Sequence, residues 1–327
     1  MKFGNPTLLK AAVVALLPIL INLSAFASTN SDSAFNETPV VLHTATGDLF
    51  GTLMLPANFS KGPVALIIAG SGPTDRNGNN PVMKNESLRM LAQGLANHAI
   101  ASLRYDKRGI AESKAAMKGE ANLRFEDYIK DAQDWIDLLK KDKRFKKVVV
   151  IGHSEGSLIG MVAARQGADG YVSIAGAGRS ADVLLKEQLA SQPQNIKDIS
   201  FPIIDSLVQG KTVTNVDPML YSLFRPDVQP YIISWFRYDP QAEIKKLAIP
   251  VLVVQGTNDI QVSTQDAQLL AKANLHAQLV LIDGVNHILK NVEGDRSANI
   301  ATYNNPSLPI SDKLLSAIVK FIEQAAR

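Results

Sequence analysis

Lys147-Val148-Val149-Val150-Ile151-Gly152-His153-Ser154-Glu155-Gly156-Ser157-Leu158-Ile159 is the stretch of this 327-residue chain that decides its fold. Val148 to Ile151 is a short, β-branched run behind Lys146 and Lys147, the pattern of a buried parallel strand. An apolar, helix-like stretch follows at once, with Leu158, Ile159, Met161, Val162, Ala163 and Ala164. Between the two lies a Gly-x-Ser-x-Gly pentapeptide centred on Ser154. A serine at a sharp turn from strand to helix sits in strained backbone with its oxygen exposed. Gly152 and Gly156 leave no side chains to block the close approach of neighbouring elements. Five residues recur by chance, so the reading depends on partners.

A nucleophilic serine must lose its proton during attack. A histidine has to reach it, and a carboxylate has to hold that histidine in the right tautomer. Beyond Ser154 only His276 and His287 are available. His287 follows the apolar run Gln278 to Ile282 and so occupies a loop at a strand's carboxyl end, whereas His276 precedes the same run. The run Ile249 to Gln255 leads into Gly256-Thr257-Asn258-Asp259, which places Asp259 at another strand end. Asp259 is the expected acid, with Asp283 as the alternative. Each alone has an ordinary reading, a turn aspartate capping its own backbone or a loop histidine. Three such residues at three strand ends make a catalytic set.

These residues and two further segments resemble the α/β-hydrolase superfamily over nearly everything after residue 38, and the order Ser154, Asp259, His287 is that family's order. Ile67 to Asn79, containing Gly70-Ser71-Gly72-Pro73-Thr74-Asp75-Arg76, looks like the family's loop after the third strand. Leu103 to Gly109 looks like the loop after the fourth. The Gly-Ser-Gly-Pro-x-Asp-Arg pattern is similar to a bacterial subgroup of secreted or envelope esterases. Many relatives carry His-Gly where this chain has Ala69-Gly70, but backbone amides can still serve. The resemblance implies oxyanion donors at the Ser71 and Glu155 amides, with Gly72 as the alternative to Ser71. It also implies a polar network of Asp75, Arg76 and Asp106, in which Arg76 could bind substrate.

The amino terminus has a separate pattern. Lys2 and Lys10 precede an almost wholly apolar run from Ala11 to Leu23, then Ala25-Phe26-Ala27 before Ser28. This reads as a secretory signal peptide over residues 1–27, too short in its apolar core to span a membrane, so periplasmic or secreted localisation is expected. An uncleaved anchor is the alternative. The chain has no cysteine, which excludes disulfides, thiolate metal sites and lipid attachment through a cysteine. Removing residues 1–27 takes Lys plus Arg from 34 to 32 against 31 acids, leaving a net charge of +1. No global field for polyanions remains. The basic run Lys140 to Lys147 reads as a solvated helix end and not as a nucleic-acid patch.

With 46% hydrophobic residues, residues 28–327 suffice for one large α/β domain with an insertion. Ser28 to Thr38 reads as a polar, flexible lead-in. Strands near Val40–Thr44 and Leu49–Leu55 should open the sheet as an antiparallel pair. Apolar runs at Val64–Ala69, Ile100–Arg104, Val148–Ile151, Tyr171–Ala175, Val251–Gln255 and Gln278–Ile282 then alternate with helical stretches, most clearly Phe125 to Lys140. The expectation is an α/β-hydrolase fold with a mostly parallel eight-stranded sheet covered by helices on both faces. Its core spans residues 28–177 and 248–327. Residues 178–247 are too many for an ordinary crossover and read as a helical cap over the site. Trp235 and Phe236 are the expected lining of an acyl pocket.

These residues point to a serine hydrolase acting on small to medium carboxylic esters through an acyl-enzyme. An aminopeptidase or lactonase with the same triad is the alternative, with Glu155, Glu187 and Asp205 able to supply an acidic pocket. A non-catalytic binding protein on this scaffold is a third reading, opposed by the intact Ser-Asp-His set. The triad supplies nucleophile and base, and backbone amides the electrophilic stabilisation, so neither metal nor organic cofactor is implied.

Overall fold

The computed structural model describes residues 35–326. The signal-peptide reading of residues 1–27 lies outside that range. Eight strands form one sheet: β1 (Phe35–Thr44), β2 (Gly47–Pro56), β3 (Gly62–Ile68), β4 (Ala101–Tyr105), β5 (Phe145–His153), β6 (Gly170–Ile174), β7 (Val251–Gly256) and β8 (Gln278–Ile282). Their order across the sheet is β1-β2-β4-β3-β5-β6-β7-β8. β1 pairs with β2 and β2 with β4 antiparallel, and every later pair is parallel. All eight anticipated strands are present.

Period-two alternation divides the sheet's side chains between two cores. On β5, Val148 and Val150 join one buried cluster while Val149 and Ile151 join the other. On β3, Val64, Leu66 and Ile68 likewise oppose Ala65 and Ile67. The second face is covered by α1 (Ser87–Asn97), through Leu88, Leu91 and Leu95, and by the C-terminal helix, through Leu314, Ile318, Phe321 and Ile322. The first face carries α2 (Phe125–Lys141) and α3 (Glu155–Ala164). α2 buries Tyr128, Ile129, Ala132, Trp135, Ile136 and Leu139, the three- and four-residue spacing seen in its sequence. α3 is buried at all ten of its residues, as a helix lodged between sheet and overlying elements must be.

Between β6 and β7 lie five helices: α4 (Ala181–Ala190), α5 (Gln194–Val208), α6 (Tyr221–Phe224), α7 (Gln229–Trp235) and α8 (Pro240–Lys245). The remaining helices are α9 (Thr264–Ala273) before β8, then α10 (Arg296–Thr302) and α11 (Asp312–Ala325).

One expectation is corrected. Phe35 to Thr38 belong to β1, pairing with Pro56 to Leu53, and are not a flexible lead-in. Their polar sequence hides two anchors: Phe35 packs on the core beneath α1, and Glu37 accepts from the buried Arg104 at 2.6 Å and from Arg89 at 3.3 Å.

Candidate active site

Ser154 sits between β5 and α3 with φ 55° and ψ −121°, a backbone region that residues other than glycine rarely adopt. Its amide donates to the Ile174 carbonyl at 3.0 Å, which anchors the turn to β6. The flanking glycines are there for space. A Cβ on Gly152 would lie 2.2 Å from the Gly156 carbonyl oxygen, and one on Gly156 would lie 2.4 Å from that of Ile68. Any side chain at either position would force strand and helix apart, so the elbow could not close.

His287 and Asp259 meet directly. His287 Nδ1 donates to Asp259 Oδ2 at 2.8 Å, and both side chains are buried. Asp259 is held from several sides: Oδ1 accepts the amides of Gln261 at 2.8 Å and Val262 at 3.0 Å, and Oδ2 also accepts Gln255 Nε2 at 2.9 Å. Burial pushes this carboxyl up, but the neighbouring His287 and these backbone donors outweigh it, and the group stays below its usual range. A carboxylate on Nδ1 leaves Nε2 of His287 as the nitrogen available to take a proton. Asp283 instead accepts from Thr257 at 3.0 Å on an exposed loop, away from His287. His276 stands before β8, at the opposite end of that strand from His287.

Ser154 and His287 line a common cavity of about 150 Å³ together with Ser71, His153 and Gln261. No direct Ser154–His287 hydrogen bond occurs among the described residues. His153, which carried no role in the sequence, braces His287: its Nε2–H donates to the His287 carbonyl at 2.8 Å, and the two ring centroids lie 4.9 Å apart. Burial, reinforced by His287, lowers its pKa to about 4, so His153 is a neutral donor near pH 7.

Ser154 also borders a larger cavity of about 310 Å³. Ser71, Gly72 and Glu155 border its floor, and Leu184, Tyr231 and Trp235 are among the residues of α4 and α7 that wall it. The sequence placed Trp235 here. Phe236 is a correction: it does not line the cavity and packs against the core, because its backbone continues the helical turn (φ −62°, ψ −14°) and a side chain one residue on points about 100° further round the axis than Trp235. Arg76 is a second correction. Its guanidinium is taken up by Asp106, at 2.8 Å and 3.2 Å, and by Glu112, so it braces the loop after β3 and does not line the cavity. Asp75 accepts the amides of Asn77 and Asn79 and shapes the same loop.

The acidic side chains considered for an amino-terminus pocket are engaged elsewhere. Glu155 accepts from Lys107 at 2.7 Å and from the Tyr231 hydroxyl at 2.6 Å. Glu187 pairs with Arg179 and Asp205 with Lys186. Among the described residues no cluster of His, Asp and Glu could hold a metal ion.

Sheet order, elbow geometry and overall similarity agree. Est1E from Butyrivibrio proteoclasticus is similar with a TM-score of 0.57 at 17% identity, covering 87% of this chain and 99% of that one. The α/β hydrolase GrgF from Penicillium is similar with a TM-score of 0.59 at 16% identity, covering 89% and 99%. The chain folds as an α/β-hydrolase. Within this α/β-hydrolase fold, residues 85–225 match the family described as serine aminopeptidase, S33. The chain is 27% identical over 259 residues to esterase EstD of Thermotoga maritima, covering 75% of this chain and 58% of that relative. It thus spans less than two thirds of the length of that curated protein.

Proposed function

We propose that this protein is a serine hydrolase that cleaves small to medium carboxylic esters through an acyl-enzyme on Ser154. The observation that carries this reading is the strained Ser154 elbow, which borders both an apolar cavity and a second cavity lined by His287, whose Nδ1 is held by Asp259. The similarity to EstD supports the choice of esters, as does the engagement of Glu155, Glu187 and Asp205 by cations. A free carboxylate in the cavity would favour a peptide's amino terminus, and these three are neutralised.

Ser154 Oγ attacks the ester carbonyl while His287 Nε2 takes its proton. The carbonyl oxygen becomes negative and is stabilised by the Ser71 and Glu155 amides. His287, its charge balanced by Asp259, returns the proton to the departing alcohol. Water then attacks the acyl carbonyl as His287 takes its proton, the bond from the acyl carbon to Ser154 Oγ breaks, His287 returns the proton to Oγ, and the carboxylic acid leaves. Residues 178–247 act as a cap whose α4 and α7 shape the acyl side. The resemblance of the Gly-Ser-Gly-Pro-x-Asp-Arg loop to exported bacterial esterases and the signal-like N-terminal pattern support export of the protein. Mass analysis of protein recovered outside the cytoplasm should then find Ser28 as its first residue, and an intact Met1 there would reject export by cleavage.

The reading is tested by comparing p-nitrophenyl butyrate with an aminoacyl p-nitroanilide on one preparation of purified protein. Ester turnover should exceed amide turnover by at least about a hundredfold and disappear in Ser154→Ala, an effect of the size expected for loss of a nucleophile. Faster amide cleavage would favour a peptidase.

A further inference from the structure

Lys107 lies two residues beyond the end of β4 and is buried together with its partner Glu155, their side chains 2% and 3% exposed. Its ammonium donates to the Gly70 carbonyl at 2.6 Å and to Glu155 Oε2 at 2.7 Å, and stands 4.9 Å from the centroid of the Tyr128 ring. The other oxygen of Glu155 accepts the Tyr231 hydroxyl of α7 at 2.6 Å. One cation thus ties together the loops after β3 and β4 and the elbow, with a further link through Glu155 to the segment above them.

The Gly70 carbonyl and the Ser71 N–H are the two ends of a single planar peptide and point in opposite directions. A cation seated on that oxygen fixes where the N–H is aimed and polarises it. The Ser71 amide has no protein acceptor among the described residues, and its residue borders the cavity beside Ser154. Glu155 is the first residue of α3, where a helix leaves its N–H unpaired, and Lys107 holds the carboxylate of that residue. A buried ion pair is usually no more stabilising than apolar packing of the same volume, so stability alone is a weak reason for this one. Lys107 itself does not line either cavity next to Ser154.

We propose that Lys107 is a positioning residue that holds the Ser71 and Glu155 amides in register on the point where substrate oxygen becomes negative. The inference rests on the hydrolase reading above. It sets the donor as Ser71 and not Gly72, because the peptide that Lys107 grips carries the Ser71 N–H.

The test uses Lys107→Met, and Lys107→Met combined with Glu155→Gln, which removes the unpaired buried carboxylate and keeps the question open if the single variant unfolds. Active sites are counted with a fluorophosphonate, and kcat, KM and inhibition by an aryl trifluoromethyl ketone, which forms a tetrahedral oxyanion, are measured per labelled site. Loss of one oxyanion donor costs ~10²–10³-fold, so misalignment should lower kcat by ~10–100-fold, weaken the ketone in proportion, and leave KM within about threefold. The Ser71 amide resonance should shift. A merely structural lysine would lower the melting temperature and the labelled fraction, but not kcat per labelled site. Values of kcat and ketone inhibition within about twofold of the unsubstituted protein would overturn the proposal. If that protein turns over no ester while the Ser71 resonance responds to the substitution, the esterase reading falls and the positioning role stands.

Discussion

Ser154 is held at φ 55° and ψ −121°, a conformation that costs a residue with a side chain on the order of 1–3 kcal/mol. Glycine occupies it freely. Ser154→Gly should therefore raise unfolding free energy in urea by about 1 kcal/mol while abolishing turnover, whereas Ser154→Ala keeps the strain and gains nothing. Equal stabilities for the two variants would show that the elbow stores no strain. The positions of Asp259 and His287 were legible in the sequence because both follow apolar runs that read as strands, and their contact at 2.8 Å follows from the adjacency of β7 and β8. Lys107 and His153 were not legible. Their partners, Gly70, Glu155 and the His287 carbonyl, are distant in sequence or reached only through the turn, and no local pattern marks them.

Helices between β6 and β7 wall the larger cavity beside Ser154. Leu184 on α4 borders the larger cavity, so Leu184→Trp should reduce kcat/KM for octanoate esters by at least about tenfold while changing that for acetate esters little. Parallel losses on both esters would place the acyl chain elsewhere. Trp235 has a second role there. It stacks on Phe125 at 6.1 Å between centroids, and Ser234 Oγ accepts the Phe125 amide at 2.8 Å, so α7 is fastened to the start of α2. Trp235→Ala should thus cost stability, by ~1–3 kcal/mol for a partly buried aromatic, as well as widen the cavity. That more than one helix lies between β6 and β7 was readable from the length of the segment. Which of its aromatics face the cavity was not, since the two candidates are adjacent and only the phase of the helical turn, about 100° per residue, separates them. β1 shows the reverse problem: Asn36 to Thr38 read as polar linker because the strand's anchors, Glu37 with Arg104, are charged.

For the folded protein as a whole, His153 makes stability depend on pH. Its folded pKa, near 4, lies below the unfolded value of about 6.5. The unfolded chain therefore takes up a proton first, and the stability present above about pH 6.5 is lost as pH falls towards 4, by about 3 kcal/mol in total. Asp259 has the same sign in a lower window. Its folded pKa is depressed, so its contribution is present above the usual carboxylate range and is lost as pH falls through that folded value. Urea unfolding between pH 7 and 4 should show the His153 slope, and His153→Gln should flatten it. An unchanged slope in that variant would move the effect to other groups.

Covalent capture at Ser154 bears most directly on the account. Purified protein is mixed with p-nitrophenyl butyrate, quenched in acid within milliseconds, and digested for peptide mass mapping. A butyryl group should be found on the peptide containing Ser154, at a site occupancy that decays on the timescale of turnover. Ester turnover with Ser154 unmodified at every quench time, or with the acyl group on another residue, would contradict it.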